Sequence, residues 1–180
     1  LKLTPVEFRS GDESHLGYYY HAYRKGALSK FDLAFIKAGV DLSPIEFNEL
    51  FLETMSKRDR VATYFGYNEK KEMVPIGFVG LINPLGIAWF VISEMVWFPW
   101  ALSRQKLASG LNLINELRND AVIQSFADVR PPETSLDGVG SKAYYTHLCK
   151  YGVMRRVGTM EDFYGPGLPA AVFQSKRRKN

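Results

Sequence analysis

Cysteine is almost absent from this chain of 180 residues: Cys149 stands alone. An internal disulfide is thereby excluded, and no Cys/His cluster at metal-ligand spacing accompanies it. Beside Leu148 in a helical stretch, Cys149 reads as a buried thiol that packs as a small hydrophobe, against the alternative of a reactive nucleophile. A secretory leader is missing too, since Leu1-Lys2-Leu3-Thr4-Pro5 lacks a basic segment followed by an apolar run, so export is not expected. Charge of one sign is scarce outside a single place. The formal net charge of +4 comes largely from Ser175-Lys176-Arg177-Arg178-Lys179-Asn180, which leaves the body near neutral. A body-wide nucleic-acid surface is therefore unsupported, and only the basic tail offers such contact. Repeats and low-complexity tracts are absent apart from that tail. Because cores usually divide only beyond roughly 250 residues, one domain over 1–174 and a basic C-terminal tail over 175–180 are expected.

What is present is an ordinary globular composition, 46% hydrophobic and 23% charged, with alternating strand and helix signals. Val6 to Arg9 reads as a short strand. Ser10 to Ser14 opens a helix through Tyr23, with Ser10 or Asp12 as its cap. Ser43-Pro44-Ile45-Glu46 predicts a second helix with a capping box, proline at its first position and a stripe of Ile45, Leu50, Phe51 and Met55. Val61 to Tyr67 and Ile76 to Ile82, separated by Asn68-Glu69-Lys70-Lys71-Glu72, predict a hairpin. The near-continuous apolar run Ala88 to Phe98 suits a strand buried on both faces and paired antiparallel with Ile76 to Ile82. A membrane helix over Leu85 to Leu102 is the competing reading, opposed by Glu94 at its centre, Pro99 interrupting it and its β-branched and aromatic content. An amphipathic helix follows from Ser103 to Arg118, with Leu107, Leu111, Ile114 and Leu117 at helical spacing. Then come a strand over 121–129, a helix over 142–151 stopped by Gly152, and strands over 153–160 and 170–174.

The residues Tyr144-Tyr145-Thr146-His147-Leu148-Cys149-Lys150-Tyr151-Gly152-Val153-Met154-Arg155-Arg156-Val157-Gly158-Thr159 resemble the late helix and strand of the GNAT superfamily of acyl-CoA-dependent N-acyltransferases. Lys150, Gly152, Val157 and Gly158 occupy the matching places, and the element order agrees along nearly the whole chain. The resemblance implies an α/β fold with a mixed central sheet flanked by helices. It also implies acetyl-CoA as acyl donor and an amine as acceptor.

On that resemblance the coenzyme's pyrophosphate meets Arg104, Gln105, Lys106, Leu107, Ala108 and Ser109, against the backbone amides of Gln105 to Ala108 at a helix start. Arg104 keeps the family pattern, whereas Gln105, Leu107 and Ser109 stand where it has glycines, and side chains there obstruct close backbone approach. The other reading of this stretch is a solvated helix start. Glu94 lies in the strand that carries the family's general base, and it reads either as that base or as a glutamate paired with a buried arginine or backbone amide. The family's acid, a tyrosine four residues before the helix-ending glycine, is replaced by Leu148. Tyr145, with Tyr144 beside it, is the substitute, or else an aromatic core residue. His147 is a surface or hydrogen-bonded residue before it is a catalyst. His15 and His21, among Tyr18, Tyr19, Tyr20 and Tyr23, either border a substrate groove or pack in a core. Two functions follow: an active N-acyltransferase in the cytoplasm, or a degenerate scaffold with protein partners, as in a phage virion. No metal and no membrane enters either reading.

Overall fold

The computed structural model describes residues 7–10, 15–25, 42–129 and 141–177. In chain order the elements are β1 (Glu7–Ser10), α1 (Leu16–Arg24), α2 (Pro44–Ser56), β2 (Arg60–Tyr67), β3 (Met73–Ile82) and β4 (Trp89–Trp97). They continue with α3 (Ser103–Leu117), β5 (Val122–Asp128), α4 (Ser141–Lys150), β6 (Met154–Met160) and β7 (Ala170–Ser175). The chain resolves into two compact units, Leu1–Ile82 with Ser93–Ser109, and Asn83–Ile92 with Gly110–Asn180.

In the first unit the strand order is β1-β2-β3-β4, with β1 antiparallel to β2 and β2 antiparallel to β3. The Phe98 amide donates to the Ile76 carbonyl at 2.9 Å, and farther along β3 Gly80 faces Glu94. As β3 advances its partner retreats, so this pair is antiparallel, as expected. The apolar run is the strand β4, with only Ser93 exposed. No helix among the described residues is long and apolar enough to cross a membrane.

Helix α2 begins as its sequence dictates. The Ser43 side chain accepts from the Glu46 amide and the Glu46 carboxylate accepts from the Ser43 amide, closing the capping box with Pro44 at the first turn. The Ser43 hydroxyl and amide hold the Glu46 carboxyl below its ordinary range. Of the predicted stripe, Phe51 is buried and Leu50 and Met55 pack against the core. Ile45 alone departs from it, 71% exposed, while Phe47 and Thr54 are buried, because positions 47, 51 and 54 share one helical face that the first-turn Ile45 does not. Helix α1 starts at Leu16 with His15 in the cap position and no side-chain cap bond. Ser10 ends β1 and does not cap it, and Asp12 lies outside the described residues. Tyr19, Tyr23, Phe47 and Phe51 pack with Phe78, Val96 and Phe98 into one aromatic cluster. The Tyr19 ring lies 4.8 Å from Phe51 and 5.2 Å from Phe98, and its hydroxyl pairs with Thr63 beneath.

In the second unit the order is β4-β5-β7-β6. Trp89 to Val91 pair in parallel with Val122 to Gln124, while β5 with β7 and β7 with β6 run antiparallel. The sheet is therefore mixed. Gly152 (φ 73°) takes the left-handed conformation that ends α4 and turns the chain into β6. Ser175, placed by sequence at the start of the tail, is the last residue of β7. Its hydroxyl accepts from the Ile123 amide at 2.9 Å, and the next amide, Lys176, still donates to the Val153 carbonyl. The sheet thus extends one residue farther than composition suggested.

Candidate functional site

A cleft of about 840 Å³ opens in the first unit. Its walls come from the end of α1, the β2–β3 turn, the start of β3 and the segment Pro99 to Gln105. The segment after β4 is held firmly. The Trp100 indole N–H donates to the Pro75 carbonyl at 2.8 Å, and His21 stacks on the Trp100 ring at 5.4 Å. Tyr19 and Tyr23 therefore belong to the core, while Tyr18 and His21, from other faces of the same helix, line the cleft.

Helix α3 begins in an arrangement that the sequence pattern did not reveal. Gln105, 1% exposed, accepts the Leu102 amide on its side-chain oxygen at 2.9 Å and donates to the Tyr67 carbonyl at 3.1 Å. It caps its own helix from the third position and ties that helix to the end of β2. The Gln105 and Lys106 amides both donate to the Leu102 carbonyl, at 2.9 and 3.0 Å, and Leu107 and Ala108 lie inside the helix, where amides bond to the preceding turn. The amides expected to face a pyrophosphate are thus engaged in the helix, which starts at Ser103 with no glycine loop before it. The N–H groups of Ser103 and Arg104 are the ones a helix start leaves open. The exposed Arg104 lines the cleft. Lys106 and Leu107 are half-buried, and Ala108 and Ser109 are fully buried.

Glu94 is 8% exposed and is not part of the cleft wall. Arg58 Nε donates to its two carboxylate oxygens at 2.8 and 3.0 Å, and the Ser93 hydroxyl donates to Oε2. A Cβ at Gly80 would stand 2.6 Å from the Glu94 carboxyl carbon and 3.3 Å from Arg58 Cγ. Only glycine leaves room for the pair. Between the two readings of this residue, the geometry has the form of the ion pair with arginine. Arg58, inside the charged run that follows α2, carried no sign of this in sequence. Gly80 did carry one, since an isolated glycine within a strand marks a close approach.

Tyr145 is buried in the second unit, its ring 5.5 Å from Phe173, and Leu148 is wholly buried. The Tyr144 hydroxyl lies against Gly110 of α3, where a Cβ would come within 3.0 Å of the phenol Cζ. Burial, with Tyr145 adjacent, holds the Tyr144 phenol well above the ordinary tyrosine range. Burial likewise pushes the half-buried Cys149 thiol up, as suits a packing residue. His147 is exposed, with its ring 5.7 Å from Tyr151. No group of three or more metal-ligating side chains occurs among the described residues.

No family model and no curated protein matches this sequence. Solved structures do match. The spermidine N-acetyltransferase from Vibrio cholerae, in complex with CoA and spermine, superposes with a TM-score of 0.61 at 13% identity, covering 94% of each chain. The ribosomal-protein-alanine N-acetyltransferase from Brucella melitensis gives 0.58 at 15% identity over 94% of this chain and 98% of that one. The aminoglycoside 6'-N-acetyltransferase from Enterococcus faecium gives 0.54 at 14% identity over 97% and 99%. All three are named as acetyltransferases, and a virion or scaffold role has no counterpart among them. At such identities the likeness is one of fold, and it extends over nearly the whole chain: this protein has the GNAT acetyltransferase fold.

Proposed function

We propose that the protein is an N-acetyltransferase that takes the acetyl group of acetyl-CoA to an amine, with the coenzyme's pyrophosphate at the amino end of α3. The observation that carries this reading is the junction of Arg104 with the open Ser103 and Arg104 amides at the head of a fifteen-residue helix beside the cleft. A phosphate there accepts from two backbone donors, meets the positive end of the helix dipole and neutralises a cation otherwise unfavourable in a first helical turn. The fold supports the reading further, since one neighbour was solved with CoA and spermine and an aminoglycoside 6'-N-acetyltransferase with coenzyme A. Gln105, Lys106, Leu107, Ala108 and Ser109 then act by building and burying the helix that presents these donors.

Glu94 serves in this reading as the buried partner of Arg58, and Tyr145 as a core aromatic. Both are therefore expected to affect stability before turnover. Arg104→Glu tests the donor site. Calorimetric titration with acetyl-CoA should show affinity reduced by about 1–3 kcal/mol, the scale of a charge-assisted hydrogen bond. Unchanged affinity in a folded variant removes α3 from the site.

A further inference from the structure

We infer that the corner where α4 ends, with Lys150 and Tyr151 on one side and Lys176 and Arg177 on the other, binds single-stranded nucleic acid. The sequence prepares this corner by leaving acids out of it. No Asp or Glu stands from Gly138 to Met160 or after Asp162, whereas Lys150, Arg155, Arg156, Lys176 and Arg177 all fall in those stretches, and Arg178 and Lys179 follow. The fold of the second unit then gathers them. Gly152 turns the chain out of α4, and the carbonyl of the next residue, Val153, accepts the Lys176 amide at 2.9 Å. Strand register sets Arg155 opposite Gln174, two residues before Lys176. Burial raises the Cys149 thiol, and the Arg156 amide and the Lys176 ammonium work against that rise, so the end of β7 lies beside the last turn of α4.

These five cations are exposed, and none forms an ion pair among the described residues. Arg155 donates to the Gln174 side chain at 3.3 Å and Arg156 to the Thr159 hydroxyl at 2.9 Å, both neutral acceptors, so both keep their charge for a ligand. The acid that register brings nearest is Asp120, two residues before β5, and Arg118 balances it in number. A field of one sign so concentrated draws a polyanion. Tyr151 indicates which kind. It is 44% exposed among the cations, and the exposed His147 ring lies 5.7 Å away. Exposed rings beside a row of cations suit a strand whose bases are free to stack on them while its phosphates meet the charges. A duplex keeps its bases stacked on one another and presents chiefly phosphate to such a surface, which leaves the ring without a partner.

The test is fluorescence anisotropy of the full chain with a labelled oligothymidylate over a series of salt concentrations, with circular dichroism as the check of folding. The wild type is expected to bind, with the logarithm of its binding constant falling against the logarithm of salt at a slope of about −3.5, as five phosphates neutralised on a single strand require. Lys176→Glu/Arg177→Glu should weaken binding about tenfold or more at low salt and make the slope shallower by about 1.4. Tyr151→Ala should weaken it about fivefold or more with the slope unchanged, and Tyr151→Phe, which keeps a ring, should bind as the wild type does. Lys25→Glu/Lys70→Glu makes the same change of net charge at exposed positions of the first unit and should leave binding intact. All the substituted side chains are exposed, so the variants are expected to fold, and the wild-type slope and a comparison with duplex of the same length need no variant. A wild type that does not bind the oligonucleotide overturns the inference, including one that binds vesicles of anionic lipid instead. Tighter binding to the duplex overturns it, as does an equal loss in Lys25→Glu/Lys70→Glu, which would make net charge the whole cause. Undiminished binding in Tyr151→Ala also overturns it. None of these readouts depends on acetyl transfer.

Discussion

Removing one member of the Arg58–Glu94 pair separates a structural carboxylate from a catalytic one. The side chains are 17% and 6% exposed, and both carboxylate oxygens are engaged. Arg58→Met leaves the Glu94 charge buried with only the Ser93 hydroxyl for support, and breaking a buried pair in this way costs about 3–5 kcal/mol. Glu94→Gln leaves the guanidinium, which is nearer solvent, and retains an amide oxygen as acceptor. Its cost should lie at the low end of that range, about 3 kcal/mol. For a chain of this length each kcal/mol moves the melting temperature by roughly 2–4 °C, so the single variants should melt roughly 6–20 °C below wild type. Arg58→Met/Glu94→Gln removes both charges and should recover most of the loss, because neither is left unpaired. Urea denaturation of the four proteins yields the coupling energy. Single losses below about 1 kcal/mol that simply add would mean the pair behaves as an exposed one, refuting the structural assignment. A Glu94→Gln protein with unaltered stability and turnover reduced about 10²–10⁴-fold would return Glu94 to the general-base role.

Other consequences concern α3 and its neighbours. Gly110→Ala would ordinarily stabilise a helix by about 1 kcal/mol. Here the added methyl meets the Tyr144 phenol, so a loss of about 1–3 kcal/mol is expected on thermal denaturation, and a gain would show that the ring yields freely. The raised Tyr144 phenol gives a pH dependence of definite sign. The group stays protonated in the fold while its unfolded counterpart ionises near the ordinary tyrosine value, so stability should fall as pH rises past that value, and Tyr144→Phe should flatten the alkaline limb. An alkaline limb identical in Tyr144→Phe would refute this. Gln105→Ala deprives the Leu102 amide and the Tyr67 carbonyl of their partners and should cost about 1–3 kcal/mol in urea denaturation.

Much of the architecture was legible because local chemistry and tertiary need agree. Ser43, Pro44 and Glu46 specify a helix start by hydrogen-bond geometry alone, and Gly152 permits the left-handed corner that ends α4. Patterning read α2 less well. Ile45 is as apolar as Phe47, and nothing local says which of them faces the cluster around Tyr19. The site was harder still, for two physical reasons. Gln105 looked like a defect in a glycine pattern, whereas its side chain replaces the missing loop with a cap bonded to Tyr67, 38 residues earlier. Glu94 showed its burial through its apolar neighbours, but the cation that compensates it arrives from a separate segment. Spacing within one segment cannot disclose a contact made across 36 residues.

The space beneath the Glu94 carboxylate binds positions 80 and 94 into one steric unit. In any related chain with this backbone, a side chain at position 80 and an acidic residue at position 94 exclude one another, and loss of the acid removes one reason for arginine at position 58. Three sites far apart along the polypeptide are therefore coupled in what they can become. When overall identity has fallen too low to align, that triplet is a marker by which distant kin sharing this β3–β4 arrangement can be told from those that rebuilt it.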